Sequence, residues 1–69
     1  MSARAARVIA YVANYEKRGE VLCEGLVTLD GRQVFRVEPH PSQLYVCNEI
    51  VDWANRLGKR DQVEWLYLK

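Results

Sequence analysis

Cys47, His40 and Asp52 are the three residue types of a thiol nucleophile, its base and the carboxylate that orients the base, and they fall in one short stretch. Such a triad works only if the side chains converge within hydrogen-bond reach. The stretch holding Cys47 and Asp52 has the spacing of a helix. At about 100° per residue, Cys47 turns to the apolar side and Asp52 to the polar side, so the three cannot meet. His40, the single histidine, lies between Pro39 and Pro41 and suits a helix cap or an exposed position. Glu49 and Asp52 are a carboxylate pair on the wet face of the same helix, where solvation is the default. No Gly-rich loop leads into a helix, so nothing cradles a phosphate. Cys23 and Cys47 make no C-x-x-C and no Cys/His cluster with zinc spacing. The expectation is a protein that is not an enzyme, with no catalytic residue, no metal and no cofactor.

Binding chemistry is better represented. "EKRGE" and "GKRDQ" put Lys17, Arg18, Lys59 and Arg60 at turn tips, with Arg32 and Arg36 adding charge. These residues are the candidates for nucleic-acid contact. Each pair is diluted by neighbouring Glu or Asp, and ten basic residues face nine acidic ones for a net charge of +1. Nucleic acid is therefore the alternative reading, a small regulator working through basic turns, and is disfavoured against protein. Tyr45 is the other candidate. It sits in the middle of a polar helix face, with Glu49, Asp52 and Arg56 around it, a composition typical of interface anchors.

The elements that position these residues follow from the breaks in the chain. Sixty-nine residues make one small domain, residues 1–69, near the lower limit for a self-sufficient core. Nearly half the residues are apolar, which argues against disorder. The chain shows no signal peptide and no apolar run long enough to span a membrane. With two thiols read as buried and free, a cytoplasmic location is expected.

Turn residues in "EKRGE", "LDGRQ", "EPHPSQ" and "LGKRDQ" divide the chain into five segments. Three-residue hairpin loops ending in Gly19 and Gly31 would give a three-stranded antiparallel meander. Its apolar face would carry Ile9, Tyr11, Ala13, Tyr15, Val21, Cys23, Val27, Phe35 and Val37, with Gly25 under the rings of Tyr11 and Phe35. Glu24 would face Arg36 on the opposite side. From about Ser42 to Leu57, one amphipathic helix buries Leu44, Val46, Cys47, Ile50, Val51, Trp53, Ala54 and Leu57. Ser42 or His40 caps its start and Gly58 stops it. Val63, Trp65 and Tyr67 alternate with polar residues and Leu66 in a last strand. The expected fold class is α+β, in the order β-β-β-α-β, with the last strand parallel to the first in spatial order 4-1-2-3. The alternative is α-β-β-α-β, in which residues 3 to 18 form a helix capped by Ser2, with Ala5, Val8, Ile9, Val12 and Tyr15 buried and Arg4 on the other side.

In the meander, the second sheet face offers Val8, Ala10, Val12, Leu22, Leu26 and Val34. One helix cannot cover both faces of a sheet, and an apolar face left over on a small domain points to a homodimer or a partner. Leu22, Leu26 and Val34 therefore join Tyr45, Glu49, Asp52 and Arg56 as candidate protein-binding residues.

Across "VTLDGRQVFRVEPHPSQLYVCNEIVDWANRL", the order strand, DG turn, strand, cap and amphipathic helix resembles the plan of small phage-encoded inhibitors of the anti-CRISPR kind. The resemblance spans about half the chain and is one of plan, so it carries over no site residue. It implies a single α+β domain without catalytic residues that acts by occupying a surface of a larger assembly. The expected function is thus a non-enzymatic protein-binding module, an inhibitor or regulator whose partner is another protein or protein complex.

Overall fold

Arg18 and Gly19 (φ 54° and 79°) hold left-handed backbone at the first hairpin tip, and Asp30 and Gly31 (φ 51° and 85°) do so at the second. Positive φ at two consecutive central residues is the type I′ turn, whose twist matches that of the strands it joins. The computed structural model, which describes residues 7–68, thus has two-residue loops where the spacing predicts three-residue ones. Asp30 also ties the second tip to the start of the first strand. Its Oδ1 accepts from the Arg7 N–H at 3.0 Å, and its own N–H donates to the Arg7 carbonyl at 2.9 Å.

The elements are β1 (Val8–Lys17), β2 (Glu20–Leu29), β3 (Arg32–His40), α1 (Gln43–Arg56), one 3-10 turn (Arg60–Gln62) and β4 (Val63–Leu68). They form one four-stranded sheet in the order β3-β2-β1-β4, in which β4 runs parallel to β1 and the other neighbours are antiparallel. The fold is α+β of order β-β-β-α-β. Residues 8–17 are strand, so the helical alternative fails there, and its Ser2, Arg4 and Ala5 lie outside the described residues.

The shorter first loop shifts β1 by one position against β2. Ala10 lies opposite Val27, Val12 opposite Gly25 and Asn14 opposite Cys23. Because strand side chains alternate, a one-residue slip exchanges the faces. Val8, Ala10 and Val12 are buried in the core, and Ile9, Tyr11, Ala13 and Tyr15 face away from it, the reverse of the expected assignment. Val21 is also exposed rather than buried, since its part of the hairpin extends past the ends of β3 and β4. The faces of β2 and β3 are as expected: Cys23, Val27 and Val37 join the core, with Phe35 packed against it.

Small residues under the helix explain why β1 takes this side. A Cβ added at Gly25 would lie 2.8 Å from both Ile50 Cδ1 and Val46 Cγ1, so the helix rests directly on β2 backbone. No tyrosine ring shares that gap, and Gly25 lies beneath Val46 and Ile50 rather than Tyr11 and Phe35. Val46, Ile50 and Ala54, spaced i, i+4, make the buried line of α1. Leu44 lies off that line and is 70% exposed, and Leu57 lies past the last turn and is also exposed, contrary to expectation. Trp53 stacks on Phe35 at 5.2 Å between centroids and seals the β3 side.

Ser42 caps the helix by accepting from the Tyr45 N–H at 3.2 Å. At the other end Gly58 is left-handed, with its N–H bonded to the Asn55 carbonyl and the Lys59 N–H to the Ala54 carbonyl. That pattern is a Schellman stop. It frees the chain to cross to β4.

Candidate functional site

The helix covers β1, β2 and β3 from one side only. On the other side three rows of residues cross the sheet in register. The central row is Arg36, Leu26, Tyr11 and Leu66. One neighbouring row is Glu24, Ala13 and Leu68, and the other is Gln33, Thr28, Ile9 and Glu64. Tyr15 and Leu22 pair directly on the projecting hairpin. Ala13 is the small member among Tyr11, Leu26 and Leu68. The surface therefore dips there into a groove of about 370 Å³ lined by Tyr11, Ala13, Glu24, Gly25, Leu26, Gln33, Arg36 and Leu68.

The rim is polar and balanced. The Arg36 guanidinium lies 3.1 Å from a Glu38 carboxylate oxygen and 3.6 Å from one of Glu24. The expected Glu24–Arg36 pair is therefore present, although it is diagonal, because Arg36 lies opposite Leu26. On β4, Arg7 grips Glu64 at 2.9 Å. The hydrogen bond and the positive charge hold the Glu64 carboxyl below the usual carboxylate range and raise Arg7 further.

Of the residues expected to bind protein, Leu22 and Leu26 are half-buried on this open face, and Val34 is exposed at a register shift in β3. Ile9, Tyr11, Ala13 and Tyr15 were expected in the core, and Leu66 was not assigned to a binding surface. The "DG" dipeptide is a strong two-residue turn signal for the second tip, but the loop that places the β1 residues on the open face is the first, at Arg18 and Gly19, which carries no such dipeptide.

Tyr45, Glu49, Asp52 and Arg56 share the exposed side of α1 as expected. Three of them, Tyr45, Asp52 and Arg56, are engaged within the chain, however. The Tyr45 ring stacks on His40 with centroids 4.0 Å apart and planes 20° from parallel. Asp52 and Arg56 pair at 3.3 Å. Glu49 and Tyr45 line a shallow dip of about 310 Å³ with Phe35, Arg36, Val37, Glu38, Pro39 and His40.

His40 Nδ1 accepts from the Ser42 N–H at 2.9 Å, so its proximal nitrogen serves the turn into the helix rather than a nucleophile. Asp52 points to solvent, away from Cys47, and the three residues do not converge. Cys23 is buried, and burial raises its thiol pKa, with Cys47 and Glu24 adding to the shift. Cys47 is only half-buried, less than expected, because it lies beside the buried line of α1. No group of three or more His, Cys, Asp and Glu among the described residues could hold a metal ion. Lys17 and Arg18 sit at the end of β1, and Lys59 and Arg60 precede the parallel β4. The two basic pairs therefore lie at opposite ends of the sheet. No helix among the described residues is long and apolar enough to cross a membrane.

No protein-family model matches the chain, and comparisons with curated proteins and with solved structures find no match.

Proposed function

We propose that this protein is a non-enzymatic protein-binding module and that its working surface is the open face of the sheet. The observation that supports this reading is the Ala13-floored groove, set among Tyr11, Leu26 and Leu68 and rimmed by the Glu24–Arg36–Glu38 charges. An apolar centre with a balanced polar rim is the composition of a protein interface. The tyrosines supply large contact area at low entropy cost. The groove is open and shallow, and it brings together no nucleophile and base, so it suits a protein surface better than a reaction. The role is that of an inhibitor or regulator occupying a surface of a larger assembly, and the cytoplasm is the compartment that suits its two unpaired thiols.

The test is a tagged capture from native host lysate, run in parallel with Leu26→Lys and Tyr45→Ala, each first checked for folding by circular dichroism. A partner recovered with the parent protein and with Tyr45→Ala, but lost with Leu26→Lys, supports the open face. Loss with Tyr45→Ala alone would move the working surface to the helix. A nuclease-sensitive catch, lost when Lys17, Arg18, Lys59 and Arg60 become alanine, would favour nucleic acid instead.

A further inference from the structure

The sheet has two edges, and they are built differently. β3 carries Arg32, Gln33, Arg36, Glu38 and Pro39, and its register against β2 is broken at two places. Charge, proline and bulges are the devices that stop an edge strand from pairing with another chain. β4 has no proline and no bulge. Its sequence is VEWLYL, and its pairing with β1 is uninterrupted from Val63 to Leu68. Its single charge, Glu64, is drawn toward β1 by Arg7 through two hydrogen bonds, at 2.9 and 3.4 Å, rather than guarding the free edge.

The composition of β4 is also wrong for an edge. A strand flanked on both sides and covered on both faces reads as a nearly continuous apolar run, whereas an edge strand alternates or is charged. β4 is apolar on both faces. Leu66 (45% exposed) and Leu68 (47%) lie on the open face, and Tyr67 (58%) lies on the helix side, its hydroxyl beside Cys47 of α1 but much of its ring uncovered. The strand has the sequence of a central strand in an edge position.

We infer that β4 is the self-association edge of this protein: two copies pair β4 against β4, antiparallel, to make one eight-stranded sheet. A two-fold axis normal to the sheet keeps each face on its own side, so residues of the same parity meet. With the axis at Leu66, the Leu66 side chains meet each other, and Trp65 of each copy lies opposite Tyr67 of the other. Cross-strand aromatic pairs of this kind stabilise sheets. The pairing gives partners to the free backbone groups of β4, and α1 lies over β1 to β3, so the two helices stay clear of the junction. A second copy fits better than a foreign strand because the same short segment supplies both halves of every pair. One six-residue strand buries less than the roughly 800 Å² per partner of a standard interface, so the dimer is reversible. This inference uses the backbone edge and stands apart from the open-face reading.

The experiment is sedimentation equilibrium on the full chain from about 10 µM to about 1 mM, a range that brackets weak association, with Tyr67→Lys and Leu22→Lys as variants. The expected result is a mass that rises toward twice that of one chain for the parent and for Leu22→Lys, and stays at one chain for Tyr67→Lys. A parent protein monomeric throughout overturns the inference. So does a dimer that survives Tyr67→Lys but not Leu22→Lys, since that pattern puts the contact on the open face. Should Tyr67→Lys fail to fold, amide exchange of Leu66, Tyr67 and Leu68 in the parent decides. Protection that grows with protein concentration supports the paired edge, and protection independent of concentration overturns it.

Discussion

The imidazole of His40 lies against the ring of Tyr45, centroids 4.0 Å apart. An aromatic in the middle of a polar helix face thus has a partner in its own chain, contributed by the last residue of β3. The same imidazole accepts from the Ser42 N–H, so the stack and the helix cap share one side chain. A stacked pair contributes about 0.5–1.5 kcal/mol beyond its buried area. Tyr45→Ala is expected to destabilise the fold by about that amount, and His40→Ala by more, because it also removes an acceptor. A double-mutant cycle by urea unfolding should return a coupling of similar size. Zero coupling would mean that the rings do not interact in solution.

Gly25 is the point where the helix touches the sheet most closely. Gly25→Ala places a methyl 2.8 Å from Ile50 Cδ1 and from Val46 Cγ1, and overpacking of this kind costs about 1–3 kcal/mol. Ile50→Val removes one of the two obstructing atoms. The double variant should therefore lose less stability than the sum of the singles, as read from denaturant midpoints.

Arg18 holds a left-handed backbone (φ 54°) without the help of a missing Cβ. Asn accepts that conformation far better, and Asn-Gly is the favoured type I′ pair. Arg18→Asn is expected to raise stability by about 0.5–1 kcal/mol. Asp30 occupies the matching position in the second tip but also bonds the Arg7 N–H. Asp30→Ala should therefore change stability in the opposite direction, by about 1 kcal/mol.

Arg7 and Glu64 give stability a dependence on acid. Glu64 is held below the ordinary carboxylate value in the folded protein. Its contribution is therefore fully present above the unfolded value, about 4.3, and is lost as pH falls through the lower folded value. Glu64→Gln should flatten this part of the stability curve, and so should high salt, because both groups are exposed to solvent. A parent protein and Glu64→Gln with parallel acid unfolding curves would show the pair to be without effect.

Much of this molecule is local chemistry and is legible along the chain. The Ser42 cap, the Gly58 stop and the i, i+4 line of Val46, Ile50 and Ala54 each depend on residues a few positions apart. So does the strand character of β4, a short run rich in β-branched, aromatic and leucine side chains. The crossover that sets β4 parallel to β1 follows from the presence of one helix between them. The leftover apolar face also follows, since a single helix covers one side of a sheet.

The occupants of that face were decided only in three dimensions. β1 is apolar on both sides: Val8, Ala10 and Val12 alternate with Ile9, Tyr11, Ala13 and Tyr15, so its periodicity does not choose a side. Loop length at Arg18 and Gly19 sets the choice, and one residue there exchanges the faces. Packing against the helix makes that register the right one. Val46 and Ile50 press on bare backbone at Gly25, which leaves room for Ala10 and Val12 beside it and none for the rings of Tyr11 and Tyr15. Large aromatics go where space is open, and here the open side of the sheet is the surface left for a partner.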